Sequence, residues 1–367
     1  MNTTTATVVR RAGGKGMAAL VRAMYRLEGR SPRRETAPDA ARAVFAPRDA
    51  DSTSEDVYAL GHSGTDVIVG GWVYPTQPGQ TETPFSVARL GNHVNRLDGV
   101  ALGARTARVG ADGTVRFSAP GPIERVALRW DQAYGGRDAE TEALLRRDIV
   151  GYADLLDATD VPTLCDDRRN PGGRGFCMMP PETGARTVAL PTLEWRDVRL
   201  QPKGFLLADP DAWCLQVRPC CTEAVQPVWF PRAGAMGLCE LPAAYVRRMT
   251  EAERAGIDPA YFADGPATVA IRGPHPSFFR VATAALQWSE LLPGEAVRLS
   301  GMRPGGAERV VTLPAAPVMG AAGWTSVGRA AVVEIDAEEG TMEVLWVAED
   351  PSGQDDHSAG FARWQEG

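Results

Sequence analysis

Carboxylates beside strands or turns, at Asp66, Asp131, Asp166, Asp167 and Glu194, are the side chains best suited to acid–base work in this chain. Hydrolysis by such groups needs two carboxyls facing one scissile bond, and nothing in their spacing singles out a pair. A thiolate–imidazole nucleophile could be built from Cys177 with His93 or His275, yet Gly175-Phe176-Cys177-Met178-Met179 reads as a strand entering a core. The six cysteines form no C-x-x-C pair, and the four histidines are scattered, so no zinc-like spacing exists. They are also too sparse for a disulfide framework in 367 residues. Adjacent Cys220 and Cys221 cannot bridge each other without severe strain. The thiols are read as buried. The expectation is no catalytic residue, no metal and no cofactor.

Contact chemistry is better represented. Asn170-Pro171-Gly172-Gly173-Arg174-Gly175-Phe176 opens on a turn-initiating Asn-Pro, and its three glycines allow backbone conformations closed to other residues. Arg174, between two glycines, is placed to clamp a carboxylate, either within the fold or on a partner. No Gly-Lys-Ser/Thr follows, which excludes a phosphate-binding P-loop. In Ala133-Tyr134-Gly135-Gly136 the glycines permit a sharp turn, while Tyr134 can bury its ring and keep a hydroxyl hydrogen bond. Trp229 and Arg232 lie in Pro227-Val228-Trp229-Phe230-Pro231-Arg232, either a Pro-framed loop packed on the fold or an aromatic–Arg contact patch. Asp66, Tyr134, Gly135, Gly136, Asn170, Arg174, Trp229 and Arg232 are thus the candidate turn or partner-contact residues.

Short strands must position these residues. Asp66–Tyr74 is the clearest, with Val67, Val69 and Val73 on one face and Ile68, Trp72 and Tyr74 on the other. Both faces are apolar, as in a strand covered on two sides, and Gly70-Gly71 predicts a bulge or a closely packed neighbour. Val115–Phe117 and Ile123–Trp130 follow, the latter alternating Val126, Leu128 and Trp130 with Arg125, Ala127 and Arg129. Ala18–Leu27 suits a helix or an opening strand, and residues 28–56 read as an irregular connection. Short helices are expected at Ala139–Val150 and Pro242–Ala255. Strands return at Ala296–Ser300, Glu308–Leu313, Ala331–Ile335 and Met342–Val347, the last two joined by a Gly-bearing hairpin loop. The whole is a mainly β fold, with antiparallel sheets in sandwich- or barrel-like packing and a few short helices. Residues 1–16 are expected to be a flexible tail and 351–367 another. Between them residues 17–350 form the β-rich domain, with a division into two lobes near 195–225 as one option.

Composition sets the outer bounds. The 39 glycines and 28 prolines suit frequent turns, and a net charge of −7 argues against phosphate-backbone or anionic-membrane binding. Ten Lys and Arg against four Asp and Glu give residues 1–50 a local +6, a solvated basic tail or a docking arm, and leave −13 for the rest. No stretch approaches the roughly 20 apolar residues of a membrane span. Arg22 and Arg26 interrupt the segment after Arg10-Arg11, so an export signal is not expected and the chain is read as cytoplasmic.

Taken in order, these strings resemble an accessory family of bacterial type VI secretion, a domain-of-unknown-function family encoded beside the VgrG spike, PAAR tip proteins and their effectors. The resemblance rests on Gly64-Thr65-Asp66-Val67-Ile68-Val69-Gly70 with Tyr74-Pro75, Gly121–Leu128 leading into Ala133–Gly136, and Asn170–Phe176. It continues through Leu190-Pro191-x-Leu193-Glu194, Ile257-Asp258-Pro259-x-Tyr261-Phe262, Gly294–Leu299 and the Val333–Trp346 hairpin. Departures are His62-Ser63-Gly64 where the family often has Lys-Pro, Gly103-Ala104-Arg105 where it often has Gly-Asp-Arg, and a poorly matched Trp213–Cys239. The resemblance implies a non-catalytic adaptor or chaperone that holds a PAAR or PAAR-like tip protein, an effector or both for loading onto VgrG, with no nucleic-acid or membrane partner. The alternatives are a β-rich hydrolase or toxin using a carboxylate or cysteine, and a structural component of the secreted assembly.

Overall fold

The computed structural model of the chain describes residues 7–10, 17–28, 31–34, 64–91, 96–136, 138, 173–176, 181, 183–206, 219–222, 287–321, 324–349 and 363–365. Among the described residues strands predominate and no helix reaches seven residues, so the fold is β-rich with several antiparallel sheets. The expected helices at 139–150 and 242–255 lie outside the described residues. The chain divides into two compact units, one of Met1–Trp72, Ser86–Leu97 and Leu286–Gly367, the other of Val73–Phe85 and Asp98–Ala285.

In the first unit the main sheet runs in the order Thr7–Arg10, Met17–Glu28, Thr341–Glu349, Arg329–Asp336, Thr65–Gly70 and Gln287–Trp288, and Ser31–Arg34 pairs with Met17–Glu28. Neighbours are antiparallel except that Thr65–Gly70 runs parallel to Arg329–Asp336, with Val67 beside Val333 and Val69 beside Ile335. The ambiguous Ala18–Leu27 is thus a strand. Ser31–Arg34 corrects the irregular reading of 28–56 at those four positions, because its backbone completes a hairpin with Tyr25–Glu28. Thr7–Arg10 and Arg363–Gln365 are strands within the segments expected to be tails, each finding a neighbour to hydrogen-bond.

Side-chain alternation builds the core. Tyr25, Val67, Val69, Val333, Ile335, Met342, Val344 and Trp346 share one face and are buried. Within it the Trp346 Nε1–H donates to the Tyr25 hydroxyl at 3.3 Å. Thr65 is locked by donating to the Ala330 carbonyl at 2.7 Å and accepting from the Leu291 N–H at 2.9 Å. The strand breaks at Gly71, whose φ of 120° is strained for any side chain and where an added Cβ would lie 3.3 Å from that of Ala337 in the adjoining hairpin turn. The predicted hairpin is present, turning between Asp336 and Thr341.

In the second unit Thr106–Gly110 lies between Ala185–Ala189 and Val115–Phe117, and Leu193–Trp195 pairs with residues 99–101. Ala107, Val109, Tyr134, Phe176, Leu190, Leu200 and Phe205 form its buried cluster. The strand expected over Ile123–Trp130 is reduced to Val126–Ala127, followed by a 3-10 turn at Trp130–Gln132. Its alternation survives, with Val126, Leu128 and Trp130 buried. The ladder stops because the Arg129 N–H folds back onto the Ala127 carbonyl at 2.9 Å, and the Gln132 N–H onto that of Arg129 at 3.0 Å.

Candidate functional site

Two of the glycine strings meet. The Gly135 N–H donates to the Arg174 carbonyl and the Arg174 N–H to the Gly136 carbonyl, both at 2.8 Å, so residues 133–136 and 173–176 clasp each other as a latch. Tyr134 stacks on Phe176 with ring centroids 5.1 Å apart, and the Tyr134 N–H donates to the Leu193 carbonyl at 2.8 Å. A Cβ at Gly136 would sit 1.9 Å from the Trp130 carbonyl oxygen, and one at Gly175, where φ is +92°, would lie 2.7 Å from the Tyr134 ring. The glycines are therefore required by close packing as well as by turning.

Beside the latch lies an ion-pair hub. Glu194 is fully buried next to Leu193, one oxygen bound by Arg105 and the other accepting from Arg199 Nε at 2.7 Å and from the Leu200 N–H at 3.3 Å. Arg199 extends outward to grip half-exposed Glu82 with both terminal nitrogens, at 2.8 and 3.2 Å. This pairing holds the Glu82 carboxyl below its usual range and raises the Arg199 guanidinium above its own, the Glu82 hydrogen bond being the leading cause in each. Burial, helped by the charge of Glu194, pushes the Tyr134 hydroxyl up to about 12. Arg105 also lies over the Phe117 ring, 5.9 Å from its centroid.

Of the sequence candidates, Tyr134, Gly135, Gly136 and Arg174 come together in the latch. Asp66 does not join them: it is buried on the Thr65–Gly70 strand of the other unit, level with Gln287 and Val332. Asn170, Trp229 and Arg232 lie outside the described residues, as do Asp166, Asp167, Cys177, His93 and His275. Asp131 sits on the 3-10 turn and pairs with Arg129 at 3.2 Å. By sequence Glu194 is one carboxylate among several, and nothing in the spacing points to Arg105, Arg199 and Glu82 as its partners. Only the apolar positions beside Glu194 hint that its charge needs company.

Cys220 and Cys221 are buried thiols, as expected, and burial drives the Cys220 thiol well above its usual range, with Cys221, Asp98 and Glu194 adding to the rise. Among the described residues no group of three or more His, Cys, Asp or Glu is placed to hold a metal ion. No helix there is long and apolar enough to cross a membrane.

Fold and site together define a β-sheet protein whose glycine turns and buried charges are engaged with one another. The chain belongs to the family described as an uncharacterized protein conserved in bacteria (DUF2169), whose pattern matches residues 12–347. No curated protein and no solved structure matches it.

Proposed function

We propose that this protein is a non-catalytic adaptor or chaperone of bacterial type VI secretion, holding a PAAR or PAAR-like tip protein, an effector or both for loading onto the VgrG spike from the cytoplasmic side. The observation that carries the reading is the fate of Glu194. One of the carboxylates that the sequence offers for acid–base work has both oxygens bound by arginines and a backbone N–H inside the fold, which is framework chemistry. The glycine strings behind the family resemblance likewise fix backbone against backbone. A rigid β framework carrying its contacts on loops is what an adaptor needs.

The test is co-purification with the tip, spike and effector proteins encoded beside it. Retention of one of them through an interface of about 1,200 Å² or more supports the reading. Retention of none of them removes it. Detection of a hydrolytic activity that Asp131→Ala abolishes without loss of folding would replace it with the enzyme alternative.

A further inference from the structure

Arg174 differs from the two arginines of the neighbouring hub in having no carboxylate partner among the described residues, although the Arg105 Nε, like its own, has no hydrogen-bond partner. Arg105 and Arg199 are bound to Glu194 and Glu82. Arg174 is half-buried, its Nε is sealed from solvent without a hydrogen-bond partner, and among the described residues no carboxylate pairs with it. Its backbone, by contrast, is fixed on both sides, bonded to Gly135 and Gly136 and flanked by Gly173 and Gly175 at φ values of 73° and 92°. A charged N–H that has lost water and gained no acceptor is costly, and native folds leave few of them. An acceptor that pairs with this N–H relieves that cost while the backbone stays in place.

The Nε edge of a guanidinium, with its neighbouring terminal nitrogen, matches the two oxygens of a carboxylate. To meet a partner the half-buried side chain must turn that edge outward, which the latch allows because it holds only the backbone. We propose that Arg174 is a carboxylate-binding site that receives an acidic side chain of a protein partner. A net charge of −7 repels an extended polyanion far more than one aligned carboxyl group, which favours a protein side chain over nucleic acid or an anionic membrane. This deepens the adaptor reading by naming the chemistry of one contact, and it rests on that reading only in requiring a protein partner.

Two measurements test it. In the first, the backbone N–H resonances of residues 173–176, together with the Arg174 Nε–H in wild type, are followed by NMR while a short peptide of alternating Glu and Ala is added, with inorganic phosphate at matched ionic strength as control. The site predicts a saturable shift with the peptide, about tenfold weaker binding in Arg174→Lys, which keeps the charge but loses the fork, and none in Arg174→Gln. No shift, an equal shift with phosphate, or undiminished peptide binding by Arg174→Gln overturns it. An unchanged melting temperature in Arg174→Gln separates a lost contact from a lost fold.

In the second, affinity for the co-purifying tip protein is compared between wild type and Arg174→Gln, with a loss of about tenfold or more expected. Equal binding by both overturns the site and leaves the adaptor reading standing. A peptide response in the first experiment with no tip protein bound in the second leaves the site standing and removes the adaptor reading.

Discussion

At the scale of single residues, charge placement separates what the fold needs from what its surface merely carries. Glu194 is fully buried between Arg105 and Arg199, whereas Glu82 is half-exposed on the far side of Arg199. Removing one partner of a buried pair strands the other and costs about 3–5 kcal/mol, while an exposed pair is worth roughly 0–1 kcal/mol. Urea unfolding of Glu194→Ala should therefore show a loss of several kcal/mol, and Glu82→Ala a loss of at most about 1 kcal/mol. Comparable losses in the two would mean that the hub is not the stabilising centre. Tyr134 gives a second residue-scale expectation. Its hydroxyl is raised from 10.0 to about 12 by burial and by Glu194, so the folded state holds the phenol proton more tightly than the unfolded chain does. That stability is fully present below pH 10.0 and is lost as the pH climbs toward about 12. Ultraviolet absorbance of tyrosinate in wild type against Tyr134→Phe should show one late-ionising tyrosine, with ionisation accompanied by loosening of the latch. Ionisation of Tyr134 in step with exposed tyrosines would contradict this.

Among elements, close approach makes some glycines indispensable and others tolerant. A methyl at Gly136 would meet the backbone carbonyls of Trp130 and Ala133 at 1.9 and 2.8 Å, atoms that move only if the turn opens. Gly184, by contrast, carries positive φ, but a methyl added there would meet nothing within 4 Å, so only backbone strain opposes substitution. Gly136→Ala should lose about 1–3 kcal/mol or more from overpacking, along with the near-ultraviolet circular dichroism of the Tyr134–Phe176 stack. Gly184→Ala should cost only about 1–2 kcal/mol and keep that signal. Elements set by local periodicity were legible in the sequence: Val67 and Val69 alternate as the strand requires, and Gly340 marks the hairpin turn. Ile123–Trp130 misled because its apolar alternation is real, but backbone bonds from Arg129 and Gln132 curl the chain before a ladder can extend. The two glycine strings were legible as turns. Their mutual clasp was not, because residues 133–136 and 173–176 touch only after the intervening chain returns, and spacing carries no trace of that.

Across the whole molecule, two of the chain-distant ion pairs, one in each unit, should contribute to the response to acid. The unit holding Thr65–Gly70 has Arg89 bound to Glu295 and to the carbonyls of Ser289 and Glu290; the other has Arg199 bound to Glu82. Such pairings join segments remote in sequence, which is why neither they nor the interleaved division of the chain was legible from local pattern. Burial works to raise the Glu295 carboxyl, but the hydrogen bonds from Arg89 and the Leu292 N–H, with the charge of Arg89, outweigh it, and the carboxyl lies below its ordinary value of 4.5. Glu82 is lowered from the same value by its bond to Arg199. Both carboxylates bind fewer protons folded than unfolded, so their contribution is present above pH 4.5 and is lost as the pH falls through their depressed folded values. Melting temperature followed downward from neutral pH should hold steady and then drop below that point. Glu82→Gln should flatten the drop in part, and Glu82→Gln with Glu295→Gln should flatten it further, since the sites lie in separate units and should add. An acid transition identical in wild type and the double variant would assign acid sensitivity to other carboxylates and leave these two pairs without a role in it.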